Sequence, residues 1–289
     1  MRAAKRVLLL VGWHDPRLRQ GIERYAEHRG WQFSAHTFDE EVIPWGWDGN
    51  GILAWLDAKG ELAEFVAQEG KPTVDFGYCC RHLKLARVLE DTAATARLVA
   101  DHFRSAGYRK FAFYSDAPDR MCQERGIAFA STLKRVGYNP VWLRWHESAA
   151  FRTDRKAWQS KREWLAGQLR RLAKPVGLFA ANDGLALEVL ETCETTGLVV
   201  PEDVAIVGVG DNLLAAEARS TPISSVDANL ESIGYRGAAL LDELMRGRGG
   251  ARPAEPLRVP PLSLIVRKSS DMRGVGYADS ARGLPRTMG

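Results

Sequence analysis

At five places this chain sets a carboxylate or an amide directly behind a short apolar run. In open parallel sheets ligands are met there, because strand ends release loops that are free to carry polar groups. The positions are His14-Asp15 behind Val7–Val11, Asp75 behind Thr73-Val74, Asp91 behind Val88-Leu89-Glu90, Asn182-Asp183 behind Leu178–Ala181, and Asp211-Asn212 behind Val207–Gly210. At any single one, Asp or Asn also suits the N-cap of a following helix, where the side-chain oxygen accepts a first-turn amide. For Asn182-Asp183 and Asp211 taken together, ligand contact is the expectation. Arg125, in Glu124–Phe129, lies in a helical stretch from which a guanidinium could reach a cleft; an exposed arginine beside a carboxylate is the alternative. Carboxylates accept from hydroxyls and a guanidinium fork donates to ring oxygens, so the set suits a polyhydroxylated ligand better than a phosphate. Among nine tryptophans, most of them expected in the core, Trp13 and Trp158 are the two placed to stack on the C–H face of such a ligand.

Strand-like and helix-like runs alternate along the chain, the pattern of parallel sheets covered by helices. Strands are expected at 7–11, 33–38, 51–56, 72–76 and 87–91, with helices around 18–26, 61–69 and 92–105, the last ended by Gly107. The rhythm restarts with strands at 110–114, 141–145, 176–181 and 204–209 and helices at 120–136, 155–172 and 185–195. A strand at 223–227, a helix at 230–245 and a last strand at 262–266 follow. This predicts an α/β protein of two doubly wound parallel-sheet lobes joined by hinge strands. The N-terminal lobe is expected to span 1–107 plus 227–253, the C-terminal lobe 108–226 plus 254–270, and 271–289 to form a loose polar tail.

The 289 residues suit two cores better than one small one. With 45% hydrophobic and 26% charged residues the composition excludes a disordered, collagenous or coiled-coil chain. The net charge of +4 is too small to argue for nucleic acid. The basic residues at 152–162 and 170–174 read as solvated helix faces. No apolar run is long enough to span a membrane and no secretory signal is read, so a cytoplasmic protein is expected. Its four cysteines, two of them adjacent, are expected as reduced thiols. Enzyme signatures fail one by one: Gly208-Val209-Gly210 lacks the third glycine of a dinucleotide loop, and no phosphate-cradling, nucleophile-elbow or zinc-binding motif occurs. Hence no catalytic residue, metal or cofactor is expected.

The stretches Ala181–Leu187 and Gly197–Asn212 closely resemble the effector domains of the LacI/GalR type, which share the type I periplasmic-binding-protein fold. The resemblance continues through Thr221–Val226 and Ile233–Leu241 and covers roughly residues 6–268. Lys110–Tyr114, Glu124-Arg125, Val259–Pro261 and Val266–Asp271 are most similar to the sensor half of xylose-operon regulators, which an AraC-type DNA-binding domain follows. The resemblance implies a sugar clamped between two lobes. By motif it makes Arg125 the arginine that grips hydroxyls, Asn182 the pocket amide, Asp211 the carboxylate after the glycine strand, Asp91 the first-lobe carboxylate and Trp158 a stacking aromatic. Asp15, Asp75 and Asp183 are candidates from their local position alone. The implied function is the sugar-sensing effector domain of a bacterial transcription regulator, dimeric and cytoplasmic, that binds a monosaccharide such as xylose and signals by lobe closure. No helix-turn-helix is read at either end, so DNA contact is expected only through a domain absent from this chain. An exported sugar-binding protein of a transport system is the alternative.

Overall fold

The computed structural model describes residues 4–11, 15–34, 42–56, 60–154, 158–212, 220–247 and 255–271. It forms two compact units, Met1–Asp91 with Asn229–Pro260 and Thr92–Ala228 with Pro261–Gly289.

The first unit is built on strands β1 (Arg6–Leu10), β2 (Gln32–Phe33), β3 (Gly51–Ala54), β4 (Thr73–Asp75), β5 (Ala86–Glu90) and β11 (Leu257–Val259). They lie in the order β11-β5-β4-β3-β1-β2 and every pairing is parallel. A parallel sheet covered on both faces needs apolar side chains in both directions, which is why its strands read as unbroken apolar runs. Along β1, Val7 and Leu9 join α1 (Pro16–Arg29) and α8 (Leu230–Met245) on one face. Leu8 joins Ile52, Phe65 and Val66 on the other, beneath α2 (Glu61–Glu69). The backbones of α1 and α8 touch because glycines stand at the crossing. A Cβ on Gly21 would sit 1.9 Å from the Glu231 carbonyl oxygen, and one on Gly234 would sit 2.1 Å from that of Leu18.

The second unit holds β6 (Lys110–Ser115), β7 (Val141–Arg144), β8 (Val176–Ala180), β9 (Val204–Val209), β10 (Ser224–Asp227) and β12 (Ser263–Ile265), in the order β12-β10-β9-β8-β6-β7. All pairings are parallel except that of β12, which runs antiparallel to β10. Its helices are α3 (Thr92–Ser105), α4 (Arg120–Lys134), α5 (Ala149–Asp154), α6 (Trp158–Arg171) and α7 (Asp183–Thr196). Phe179 packs edge-on against Phe113 at 5.3 Å and Phe129 at 5.2 Å. Each such fully buried ring contributes about 1.5–3 kcal/mol by leaving water.

This is the doubly wound α/β architecture that the alternation predicts, with differences in detail. Helix α3, expected in the first lobe, belongs to the second unit, where Phe103 is fully buried against Gly177 and Tyr108. The segment from 254, expected in the second lobe, instead gives the first sheet its edge strand β11, with Leu257 opposite Val88. A three-residue strand between prolines carries too little alternation to be read as a strand. The short helix α5 precedes the helix expected at 155–172 and has no counterpart among the expected elements. Of the strand expected at 33–38, Gln32–Phe33 is seen and 35–38 fall outside the described residues, as do Trp13, His14 and the tail from 272.

Candidate functional site

Four of the eight candidates gather in the second unit, at the carboxyl ends of its central strands. The buried run of β8 ends at Ala180, and Asn182 then caps α7 by accepting the Leu185 amide at 2.8 Å. Asp183, the first residue of α7, is buried with both carboxylate oxygens engaged. Oδ1 accepts from the Ser225 hydroxyl at 2.5 Å and Oδ2 from the Asn212 amide at 2.7 Å. Burial pushes the Asp183 carboxyl up. The Ser225 and Asn212 hydrogen bonds pull it back, the charge of Asp211 adds to the rise, and Arg125 opposes it.

The glycines of β9 make this arrangement possible. A Cβ on Gly208 would lie 2.3 Å from Asp183 Oδ1, so Gly-x-Gly here clears room for a carboxylate and not for a pyrophosphate. Gly210 then adopts φ +128 and Asp211 φ +50, a sharp turn that glycine tolerates and aspartate accepts. Asp211 donates its amide to Ser225 Oγ at 3.0 Å, and its Oδ1 accepts from Arg267 Nη2 at 2.8 Å. Arg125 comes from α4, whose inward stripe is Cys122, Arg125, Gly126, Phe129 and Leu133. It is buried, and its Nη1 donates to the Ala181 carbonyl. An arginine at an apolar position of a helix stripe is a signal in the sequence that this cation points inward.

Three features of the site escaped sequence reasoning. Ser225 bridges Asp183 and Asp211, and Arg267 pairs with Asp211 from 56 residues away; no local pattern reports either. The third is a polar cluster at the end of β6. Lys161 Nζ lies 2.8 Å from Asp116 Oδ2 and 2.8 Å from Glu188 Oε1, and the Tyr114 hydroxyl donates to Glu188 Oε2 at 2.6 Å. Burial pushes the Tyr114 hydroxyl up, and the neighbouring Glu188 adds to the rise. Burial works against the charge of Lys161, but the bonds and charges of its two carboxylates outweigh it and raise its value. Asp116 obeys the same strand-end rule as the candidates. Lys161 belonged to a run expected to form a solvated face, and here part of that run turns inward.

Asp15, Asp75 and Asp91 belong to the first unit. Asp15 caps α1, accepting the Arg17 amide at 2.9 Å and pairing with its guanidinium at 2.6 Å, and those bonds hold its carboxyl below the usual range. Asp75 is fully buried and accepts from Gly77 N at 2.8 Å, Leu56 N at 3.2 Å and Arg87 Nε at 3.1 Å. Burial raises its carboxyl against these bonds. Arg87 also donates to the carbonyls of Cys80 and Leu83, so the pair braces the 76–85 loop. Asp91 is half-buried at the junction of β5 and α3, and its amide donates to the Val259 carbonyl at 2.7 Å. Trp158 opens α6 with 63% of its surface exposed and Arg162 4.4 Å above its ring.

The second-unit cluster sets two carboxylates among two guanidiniums, an amide and a hydroxyl. Such a set fixes hydroxyl groups by paired donation and acceptance. Among the described residues no group of three or more His, Cys, Asp or Glu could hold a metal ion. No described helix is long and apolar enough to cross a membrane.

Residues 100–270 match the periplasmic binding protein-like domain family. The xylose operon regulatory protein of Escherichia coli (strain K12) is 27% identical over 237 residues, 79% of this chain and 58% of that protein. The chain therefore spans little more than half the length of that relative. The solved structure of a xylose-binding transcription activator superposes with a TM-score of 0.79 at 24% identity, over 94% of this chain and 71% of that one. A LacI family transcriptional regulator from Enterococcus faecalis V583, solved with bound ribose, gives a TM-score of 0.67 at 18% identity over 92% of this chain and 98% of its own.

Proposed function

The chain belongs to the periplasmic binding protein-like domain family, and from that membership we propose that it is the sugar-sensing effector domain of a bacterial transcription regulator. The observation that carries the proposal is the second-unit cluster, in which Arg125, Asn182, Asp183 and Asp211 stand together at the strand ends. Its two carboxylates are balanced by two guanidiniums, which suits a neutral polyol. The similarity to a xylose operon regulator, a xylose-binding activator and a regulator holding ribose supports a monosaccharide and within that class a pentose.

In this reading Asp183 and Asp211 accept from sugar hydroxyls while Arg125 donates to sugar oxygens. Asp15, Asp91 and Trp158 are proposed as the further ligand contacts, and Asp75 as a residue that serves the ligand indirectly, by bracing the 76–85 loop. The sugar is held between the two lobes and favours their closed arrangement, and a homodimer in the cytoplasm passes the change to an attached DNA-binding domain. Closure signals only if the sugar binds the closed state more tightly than the open one. The reading is of a binding module that performs no turnover.

The test is a thermal-shift screen against pentoses, hexoses, their phosphates and nucleosides, since a ligand that binds only the folded state raises the midpoint. A selective rise with xylose or a near relative is expected. Arg125→Ala should remove it, because a lost charge-assisted bond costs about 1.5–3 kcal/mol of affinity. A chain that shifts with no sugar, or an Arg125→Ala variant with wild-type affinity by calorimetry, refutes the reading.

A further inference from the structure

Beyond β12 the chain turns back into the second unit and is held there by polar groups. The backbone amide of Arg267 donates to Ser224 Oγ at 2.8 Å, its Nη1 to the Ile223 carbonyl at 3.0 Å and its Nη2 to Asp211 Oδ1 at 2.8 Å. Two residues on, the Ser269 amide donates to the Pro222 carbonyl at 3.1 Å and its hydroxyl to the Ile206 carbonyl at 2.6 Å, while its own carbonyl accepts the Ile206 amide at 2.7 Å. The Ser224 amide donates to Ser269 Oγ at 2.8 Å. Ser270 Oγ shares hydrogen bonds with Ser224 Oγ at 2.7 Å and His102 Nε2 at 2.8 Å.

The register explains why the segment is needed. β10 begins at Ser224 opposite Val207, so Ile206 lies beyond the end of its neighbour, and Ser269 gives its buried amide an acceptor and its carbonyl a donor. Ser224, Ser269 and Ser270 are all 0% exposed. Each hydrogen bond of this kind contributes little in net terms, because folding exchanges it for one to water, so the segment is docked by a sum of small contributions. To these the Arg267–Asp211 pair adds an ionic tie, formed where the two side chains are only 12% and 13% exposed.

We propose that Arg267 is a positioning residue that orients Asp211 for its ligand and ties the docking of Arg267–Asp271 to the state of that carboxylate. The proposal rests on the sugar-sensing reading, because it makes Asp211 the point where site and segment meet. A sugar hydroxyl on the remaining face of Asp211 orders the carboxylate and excludes water from the pair. Both effects strengthen the ionic bond, since a charge pair gains as the surrounding dielectric falls. The bound state therefore holds the segment more tightly than the free state. Arg267 links the strand-end site to the amino half of β9 and to α3 through three buried serines and His102.

Amide hydrogen exchange on the full chain tests this in two arms. Without ligand, Asp211→Asn should speed exchange at Ile206, Ser224 and Ser269 by about tenfold, the effect of losing one charge-assisted bond, while the β8 amides keep their wild-type rates. Arg267→Gln should behave the same way, and Arg267→Lys should recover part of the protection. Equal rates at those three amides in wild type and Asp211→Asn overturn the proposal. With a sugar that raises the melting midpoint, wild type should gain protection at all three amides. Arg267→Gln should bind that sugar more weakly and gain protection only at β8. A bound sugar that leaves the three amides of wild type unchanged, or protects them equally in Arg267→Gln, also overturns it. If no sugar binds, the sugar-sensing reading fails by itself, and the ligand-free arm still decides whether Asp211 holds the segment through Arg267.

Discussion

Ser225→Ala is the most direct probe of how the second-unit site is held together. The hydroxyl is fully buried, donates to Asp183 Oδ1 at 2.5 Å and accepts the Asp211 amide at 3.0 Å. Removing it deletes a bond to a buried carboxylate, worth about 1.5–3 kcal/mol, and a backbone bond worth about 1 kcal/mol. Water can return to the half-buried Asp211 amide, so the net loss should come to about 2–3 kcal/mol. The assay is urea unfolding at unchanged slope, which converts a midpoint shift into stability. The loss should depend on pH with a definite sign. Burial already raises the Asp183 carboxyl, and the serine bond favours its ionised form, so deleting that bond raises the carboxyl further. The penalty is then largest where Asp183 is ionised in wild type and shrinks as falling pH protonates it. A loss below about 0.5 kcal/mol, the level of an ordinary surface substitution, would refute the argument. So would an undiminished loss in an Asp183→Ala background, because a pair that interacts must show coupling in a double-mutant cycle.

Two further outcomes follow from the first unit. Gly234→Ala drives a Cβ to 2.1 Å from the Leu18 carbonyl oxygen, and as the obstacle is backbone, α1 and α8 must separate. We expect a loss at or above the upper end of the usual 1–3 kcal/mol overpacking range, read from the thermal midpoint, and an unchanged midpoint would contradict the crossing. Asp15 is held below its ordinary value of 3.8 by Arg17, so its contribution is full above that value and disappears as pH falls through its lower folded value. Wild type should accordingly exceed Asp15→Asn in stability at neutral pH and converge with it in acid; a constant difference down to the acid limb would count against the pair.

Much of the architecture was legible because its signals are local. The stretches 61–69, 92–105, 204–209 and 230–245 appear as elements with the bounds their periodicity and flanking turn residues indicate. The strand-end rule likewise pointed to Asn182, Asp183 and Asp211, and Arg125 stands with them because α4 turns its Cys122–Leu133 stripe inward. What a side chain meets across the fold is not local. Asp75 and Asp211 follow strands in the same way, yet one is enclosed by Arg87 and two backbone amides, while the other turns at positive φ toward Arg267. Lys161 looks like its solvated neighbours in sequence, and only the approach of β6 and α7 supplies the two carboxylates that draw it in.

The alternation of strands and helices, the glycine that ends α3 and the residue types at the strand ends are all written in the chain itself, since each is a local pattern with periods of 2 and 3.6 or a turn signal beside one. Which sheet receives β11, which unit receives α3, and the pairing of Asp183 with Ser225 and of Asp211 with Arg267 come from contacts across the fold. Those outcomes depend on burial and on partners 42 and 56 residues away, where the energy of a charge is set by what surrounds it and not by its neighbours in sequence.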